Sequence, residues 1–187
     1  MARLVARKRF TSKKGDLPMV IALNTRTILS IFRDMKKLAY SDCGWGDDEA
    51  VQLAEVLPLC TSATELYLAN NQNISDRGAK ALAAAFAEGA MPKLEILVLH
   101  YNKIGDEGAV ALAEAVGKGA LPELKKLNLD YNQIGDEGAV ALAEAVGQGA
   151  LPELKELRLR ENKLSQTAKD AWKAVKGKRR GLRLYGV

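Results

Sequence analysis

One histidine, two cysteines and three phenylalanines in 187 residues leave few groups with which to do chemistry. The single imidazole, His100, has no second His and no Cys near it to share a metal, and no neighbouring Ser or Cys that needs a base. It therefore reads as a binding-surface residue. No apolar run approaches the roughly 18 residues that a membrane span requires; Met19 to Leu23 is of strand length. No secretory signal precedes Cys43 and Cys60, which fits a reducing, cytoplasmic compartment with free thiols. P-loop, G-x-G-x-x-G, zinc-ligand and nucleophile-elbow patterns are all missing. The sequence thus predicts no catalytic residue, metal or cofactor.

Charge of one sign is missing from each part of the chain in turn. Residues 1–37 hold ten Lys/Arg against two Asp/Glu, residues 38–162 hold ten against twenty, and residues 163–187 hold eight against one. Nucleic-acid binders spread basic charge over the working surface, whereas here the body is acidic and only the ends are basic. Neither nucleic acid nor membrane is an expected partner. Met1–Lys14 carries six bases and no acid, which suits either an ordered cap or an organellar targeting peptide.

What is abundant is repetition. Met91, Leu121 and Leu151 each open a near-identical segment, of which Leu121–Gly147 reads LPELKKLNLDYNQIGDEGAVALAEAVG. The middle leucines, Leu38, Leu66, Leu97, Leu127 and Leu157, recur at spacings of 28 to 31 residues. The pattern L-x-x-L-x-L-x-x-N-x-I/L is complete in three units, as in Leu124, Leu127, Leu129, Asn132 and Ile134. In the first unit Cys43 stands at the Asn position and Trp45 at the Ile position. This resembles the leucine-rich-repeat family over about residues 35–184, and the period with G-D-E-G-A-x-A-L-A resembles its ribonuclease-inhibitor-like subclass. That subclass includes Ran GTPase-activating protein, tropomodulin and the sensor region of NOD-like receptors. The resemblance implies a non-catalytic protein-binding module, with regulation of a small GTPase or actin binding as alternatives.

Elementary periodicity gives the same architecture. Leu97 and Leu99 alternate with Val98 as on a strand, while Ala109, Leu112, Ala113 and Val116 share one face of a helix. The expected fold is α/β: a short right-handed horseshoe, parallel sheet on the concave side and helices on the convex side. Strands are expected near 38, 66, 97, 127 and 157, and helices over 48–57, 77–87, 107–117, 137–147 and 166–176. Asp76, Asp106 and Asp136 read as N-caps of their own helices, making an acidic, solvated rim rather than a calcium loop. The repeated Asn71, Asn102, Asn132 and Asn162 read as amides that satisfy backbone groups of the turns. Residues 1–34 read as a basic cap, with a strand at 19–23, a possible hairpin partner at 4–10 and a helix over 25–35. Residues 35–176 hold five repeats, and 177–187 a closing strand with Leu182 and Leu184 as its framework.

The leucine register then exposes definite positions on the concave face. One column is Ala39, Tyr67, Val98, Asn128, Arg158 and Arg183; the next is Ser41, Ala69, His100, Asp130, Arg160 and Tyr185; a third is Asp42, Asn70, Tyr101, Tyr131 and Glu161. Framework residues hardly change between units, whereas these do. The candidate contacts for a protein partner are Tyr67, Val98, His100, Tyr101, Asn128, Asp130, Tyr131, Arg158 and Arg160. The basic Arg158–Arg160 end suits an acidic segment in the partner, and the chain itself reads as a monomer.

Overall fold

The computed structural model describes residues 25–187; the strand expected at 19–23 and its hairpin partner lie outside them. Helix α1 (Thr25–Asp34) leads into strand β1 (Lys37–Ala39). Helix α2 (Asp47–Val56) continues into a 3-10 turn over Leu57–Leu59. There follow β2 (Glu65–Tyr67), α3 (Asp76–Ala87), β3 (Ile96–Val98), α4 (Asp106–Gly117), β4 (Lys126–Asn128), α5 (Asp136–Gly147), β5 (Glu156–Arg158), α6 (Gln166–Lys178) and β6 (Arg183–Tyr185). Six strands form one parallel sheet in chain order. The anchoring leucines Leu38, Leu66, Leu97, Leu127 and Leu157 are direct partners across it and are buried. Helices α2 to α6 lie side by side on the other layer. The core between the layers is aliphatic, with Leu53, Leu82, Leu112 and Leu142 meeting Leu68, Leu99 and Leu129.

Two ladders of side chains join each unit to the next. After each of β2 to β5 an asparagine spans two turns: the Asn132 carbonyl accepts from Ile104 N–H at 3.0 Å, and its amide donates to the Leu99 and Leu129 carbonyls at 2.9 and 3.1 Å. Asn71, Asn102 and Asn162 repeat this, and Asn71 serves Cys43 and Trp45, which have no asparagine of their own. The asparagine reading holds.

The aspartate reading needs correction. The N-caps are Gly46, Ser75, Gly105, Gly135 and Ser165, and Asp47, Asp76, Asp106 and Asp136 are the first residues of α2 to α5. Each carboxylate caps the following helix. Asp47 Oδ1 accepts from Ser75 and Gly78 N–H at 2.7 and 2.9 Å, Asp76 Oδ1 from Gly105 and Gly108, and Asp106 Oδ1 from Gly135 and Gly138. Orphan amides of a helix start are thus satisfied from the preceding repeat, where the positive end of the helix also favours an anion. The approach is so close that a Cβ at Gly138 would sit 2.6 Å from Ala109 Cβ and 2.9 Å from Asp106 Oδ1. The second glycine of G-D-E-G is therefore a packing requirement.

The last unit departs from the rest. Ala139, Ala143 and Val146, buried in α5, give way to Lys169, Lys173 and Lys176 on the outer flank of α6, which no other described helix covers. Trp172 fills the place of Leu142, with its indole N–H unpartnered among the described residues. Arg179 donates to the carbonyls of Ala150, Leu151 and Pro152 at 3.1, 2.8 and 2.8 Å. The expected register of the final strand is also wrong. Arg183 pairs with Glu156, Leu184 with Leu157 and Tyr185 with Arg158. The connection after α6 lacks the L-P-E-L turn, so Leu182 is a buried pre-strand anchor like Leu154, and the strand proper starts after it.

Asn132→Ala is expected to lower the unfolding free energy by about 1–3 kcal/mol, because it strands buried backbone groups. Gly138→Ala should also destabilise, by forcing α4 and α5 apart. An Asn132→Ala denaturation midpoint equal to that of the parent would contradict the ladder's role.

Candidate partner-binding face

Parallel strands put like positions of successive repeats beside one another, about 4.8 Å apart, so the concave face consists of rows. The row following the strands is Asp42, Asn70, Tyr101, Tyr131 and Glu161, and all five have left-handed backbone, with φ of 58°, 57°, 55°, 54° and 53°. Asp and Asn tolerate that conformation; Tyr and Glu do so at a cost. Tyr101 and Tyr131 stack with ring centroids 4.2 Å apart and planes 8° from parallel. At 44% and 42% they are the large apolar side chains left exposed among the described residues. A hydrogen bond that the Tyr101 phenol donates to the neighbouring Tyr131 hydroxyl, favouring the neutral form, is the main cause that raises Tyr101 above its ordinary range. His100 meets Tyr101 edge-on at 5.5 Å.

Three of the expected contacts are not on the surface. Val98, Asn128 and Asp130 are only 5%, 7% and 5% exposed. Small side chains on a concave sheet are covered by larger neighbours on the adjacent strands, and the two polar ones spend their groups internally. Asn128 Oδ1 accepts from Asp130 N–H at 3.0 Å, and Asp130 Oδ1 accepts from Arg160 N–H at 2.7 Å. They support the face from beneath. Tyr67, His100 and Arg158 are half-buried and Arg160 is exposed. Lys37 lies over the Tyr67 ring at 4.2 Å and pairs with Glu65 at 3.2 Å.

Because Asn128 Oδ1 is committed to Asp130, its amide nitrogen faces His100 Nδ1 at 3.3 Å. An amide nitrogen can only donate, so Nδ1 is the acceptor and the neutral imidazole carries its proton on Nε2. Burial pushes the His100 pKa down, and Arg158 and Lys126 add to this against the opposing pull of Asp130 and Asp42.

At the C-terminal end Glu156 is buried under three cations: Arg158 Nε at 2.8 Å, Lys126 Nζ at 3.2 Å and Arg183 at 3.4 Å. Burial alone would raise this carboxyl, and the bonds and charges of Arg158 and Lys126 outweigh it, holding the pKa below the ordinary range. The Arg158 and Arg160 guanidinium groups lie over the Tyr185 ring at 5.0 and 4.8 Å. Sequence reasoning missed this grouping, because it placed Tyr185 beside Arg160 in the wrong column and gave Glu156 no role. The left-handed row did leave a signal: Asp42 and Asn70 share a column with the tyrosines.

No group of three or more His, Cys, Asp and Glu could hold a metal ion among the described residues. Among them, too, no helix is long and apolar enough to cross a membrane.

His100 is the one histidine of the chain, so its titration is read without ambiguity. It should titrate below an unstructured histidine and show the Nε2–H tautomer by nitrogen-15 NMR. The unfolded chain takes up this proton first. The contribution of neutral His100 to stability is therefore full above about pH 6.5 and declines as pH falls through the folded value. Asn128→Asp, which sets an acceptor against Nδ1, should move the titration upward; a raised value in the parent would contradict the assignment.

The family described as Leucine Rich repeat matches residues 60–83, 90–113 and 121–143. Comparison with curated protein sequences finds no match. Among solved structures, an internalin from Listeria monocytogenes is similar with a TM-score of 0.50 and 19% identity, covering 88% of this chain. This chain spans only 38% of that internalin. The actin-binding site 2 of leiomodin-1 is similar with a TM-score of 0.58 and 21% identity, over 74% of this chain and 77% of that one. Such identities speak for the fold alone. Three consecutive family matches fall in register with strands whose leucines pair across one parallel sheet, and this chain carries leucine-rich repeats over those residues.

Proposed function

We propose that this protein is a non-catalytic interaction module that holds a protein partner on its concave face. Tyr101 and Tyr131 anchor the partner, and Tyr67, His100, Arg158 and Arg160 surround them. The observation that carries this reading is the backbone under the two tyrosines. Holding an ordinary residue in a sparsely populated conformation costs on the order of 1–3 kcal/mol, while a stacked aromatic pair returns about 0.5–1.5 kcal/mol. Asn or Gly at both positions would serve the fold at least as well. Large, exposed tyrosines kept at strained positions are suited to binding, since Tyr is among the residue types that dominate interface energies. An acidic segment in the partner, a monomeric state and a cytoplasmic setting belong to the same reading. We also propose that residues 1–34 and 177–187 close the two ends of the stack, with Phe32 and Leu182 buried as plugs.

Tyr101→Asn with Tyr131→Asn should leave the melting temperature unchanged or higher and abolish capture of the partner from the source cell. The convex changes Glu114→Lys and Glu144→Lys should leave capture intact. Capture that survives the tyrosine pair and fails with the convex pair would move the working surface to the helices. A large drop in melting temperature would mean that the tyrosines serve the fold.

A second reading has one observation behind it, the likeness to leiomodin-1 actin-binding site 2. Co-sedimentation with actin filaments tests it. Pelleting that saturates with filament concentration would favour actin as the partner, and a chain that stays in the supernatant would remove it.

A further inference from the structure

Four cations crowd the C-terminal end of the concave face around very little negative charge. Lys126, Arg158 and Arg183 share the single carboxylate of Glu156. Arg160, the fourth, has no carboxylate partner for its side chain among the described residues and lies over Tyr185 together with Arg158. Asp130 has one of its oxygens taken by the Arg160 backbone N–H. Even with Asp130 counted, four cations against two carboxylates leave an excess of two positive charges. Only Nε of Arg158 is bonded to Glu156, so its two Nη groups and the whole Arg160 guanidinium retain their donors. The Tyr185 ring, whose face attracts cations, keeps two mutually repelling guanidinium groups side by side. They are held together and under-neutralised.

We propose that this end of the face is an anion subsite that receives a carboxylate side chain from an acidic peptide segment of the partner. Glu156 is its built-in counter-ion and Tyr185 the platform for Arg158 and Arg160. The proposal rests on the concave-face reading and specifies the partner's chemistry at one end of it. Arginine forks match a carboxylate through paired hydrogen bonds. A short acidic peptide reaches the subsite locally, within the roughly 8 Å over which charges act at physiological salt. A polyanion such as RNA would have to lie along a body that carries twenty acids against ten bases over residues 38–162.

The test is titration of the isotope-labelled full chain with an oligoglutamate peptide and its oligoglutamine counterpart, followed at the backbone amide, arginine Nε–H and Tyr185 ring signals. Oligoglutamate should shift Arg158, Arg160 and Tyr185 saturably, and oligoglutamine should not. Arg160→Gln, at an exposed position, should weaken oligoglutamate roughly tenfold, the scale of one charge-assisted hydrogen bond. Glu156→Gln should tighten it by releasing three cations. Equal shifts from both peptides would overturn the subsite, as would shifts centred on Lys169, Lys173 and Lys176. So would shifts of Arg158 and Arg160 produced by single-stranded RNA or phosphatidylserine vesicles but not by oligoglutamate. Should Arg160→Gln capture the partner as well as the parent does while the Tyr101→Asn, Tyr131→Asn pair loses it, the subsite fails and the concave-face reading stands.

Discussion

Each repeat leaves polar backbone groups that it cannot satisfy by itself, and the neighbouring repeat satisfies them. That constraint governs the rest of the structure. Asparagine does the work where the strand ends, and aspartate where the helix begins. Buried amides and carbonyls left without partners cost on the order of a hydrogen bond each, so the two ladders fix how far apart successive units can lie. Once that distance is set, the helix flanks must be small. Gly78, Gly108 and Gly138 stand against the aspartates, and Ala50, Ala79, Ala109 and Ala139 fill the seam without pushing it open. The near-identity of the units around G-D-E-G-A follows from this geometry.

The concave face is where these demands stop. Along the strand starts, Lys37–Glu65 and Lys125–Glu95 are paired internally. The C-terminal edge of the face carries left-handed residues whose side chains belong to no ladder. The contrast within one row is informative. Asp42 and Asn70, which bond to one another, are residues the turn favours, while Tyr101 and Tyr131 are residues it tolerates. At those two positions the residue present is not the one the turn favours.

Repetition made most of the architecture legible beforehand. Leucine spacing put all five repeat strands and their helices within a residue or two of where they lie, since each repeat is an independent vote on one register. The asparagine ladder was legible for the same reason. What escaped were relations between repeats. Asp106 looked like the cap of its own helix, because capping patterns in a linear sequence are local and this one acts across 29 residues. Val98, Asn128 and Asp130 alternate outward as strand residues should, and only the crowding of a curved sheet by Tyr, His and Arg neighbours covers them. The last strand was misplaced by two residues because the connection after α6 lacks the L-P-E-L turn that sets the register of the others, and the Glu156–Tyr185 grouping was hidden with it.

The central claim is that the concave rows are the working surface and the ladders hold them in place. Hydrogen–deuterium exchange of the full chain, alone and bound to its captured partner, addresses this most directly. Binding should slow exchange at the amides around His100–Tyr101, Asp130–Tyr131 and Arg158–Glu161, with little change along α3, α4 and α5. Protection confined to those helices, with the strand-end turns exchanging as in the free chain, would contradict the account.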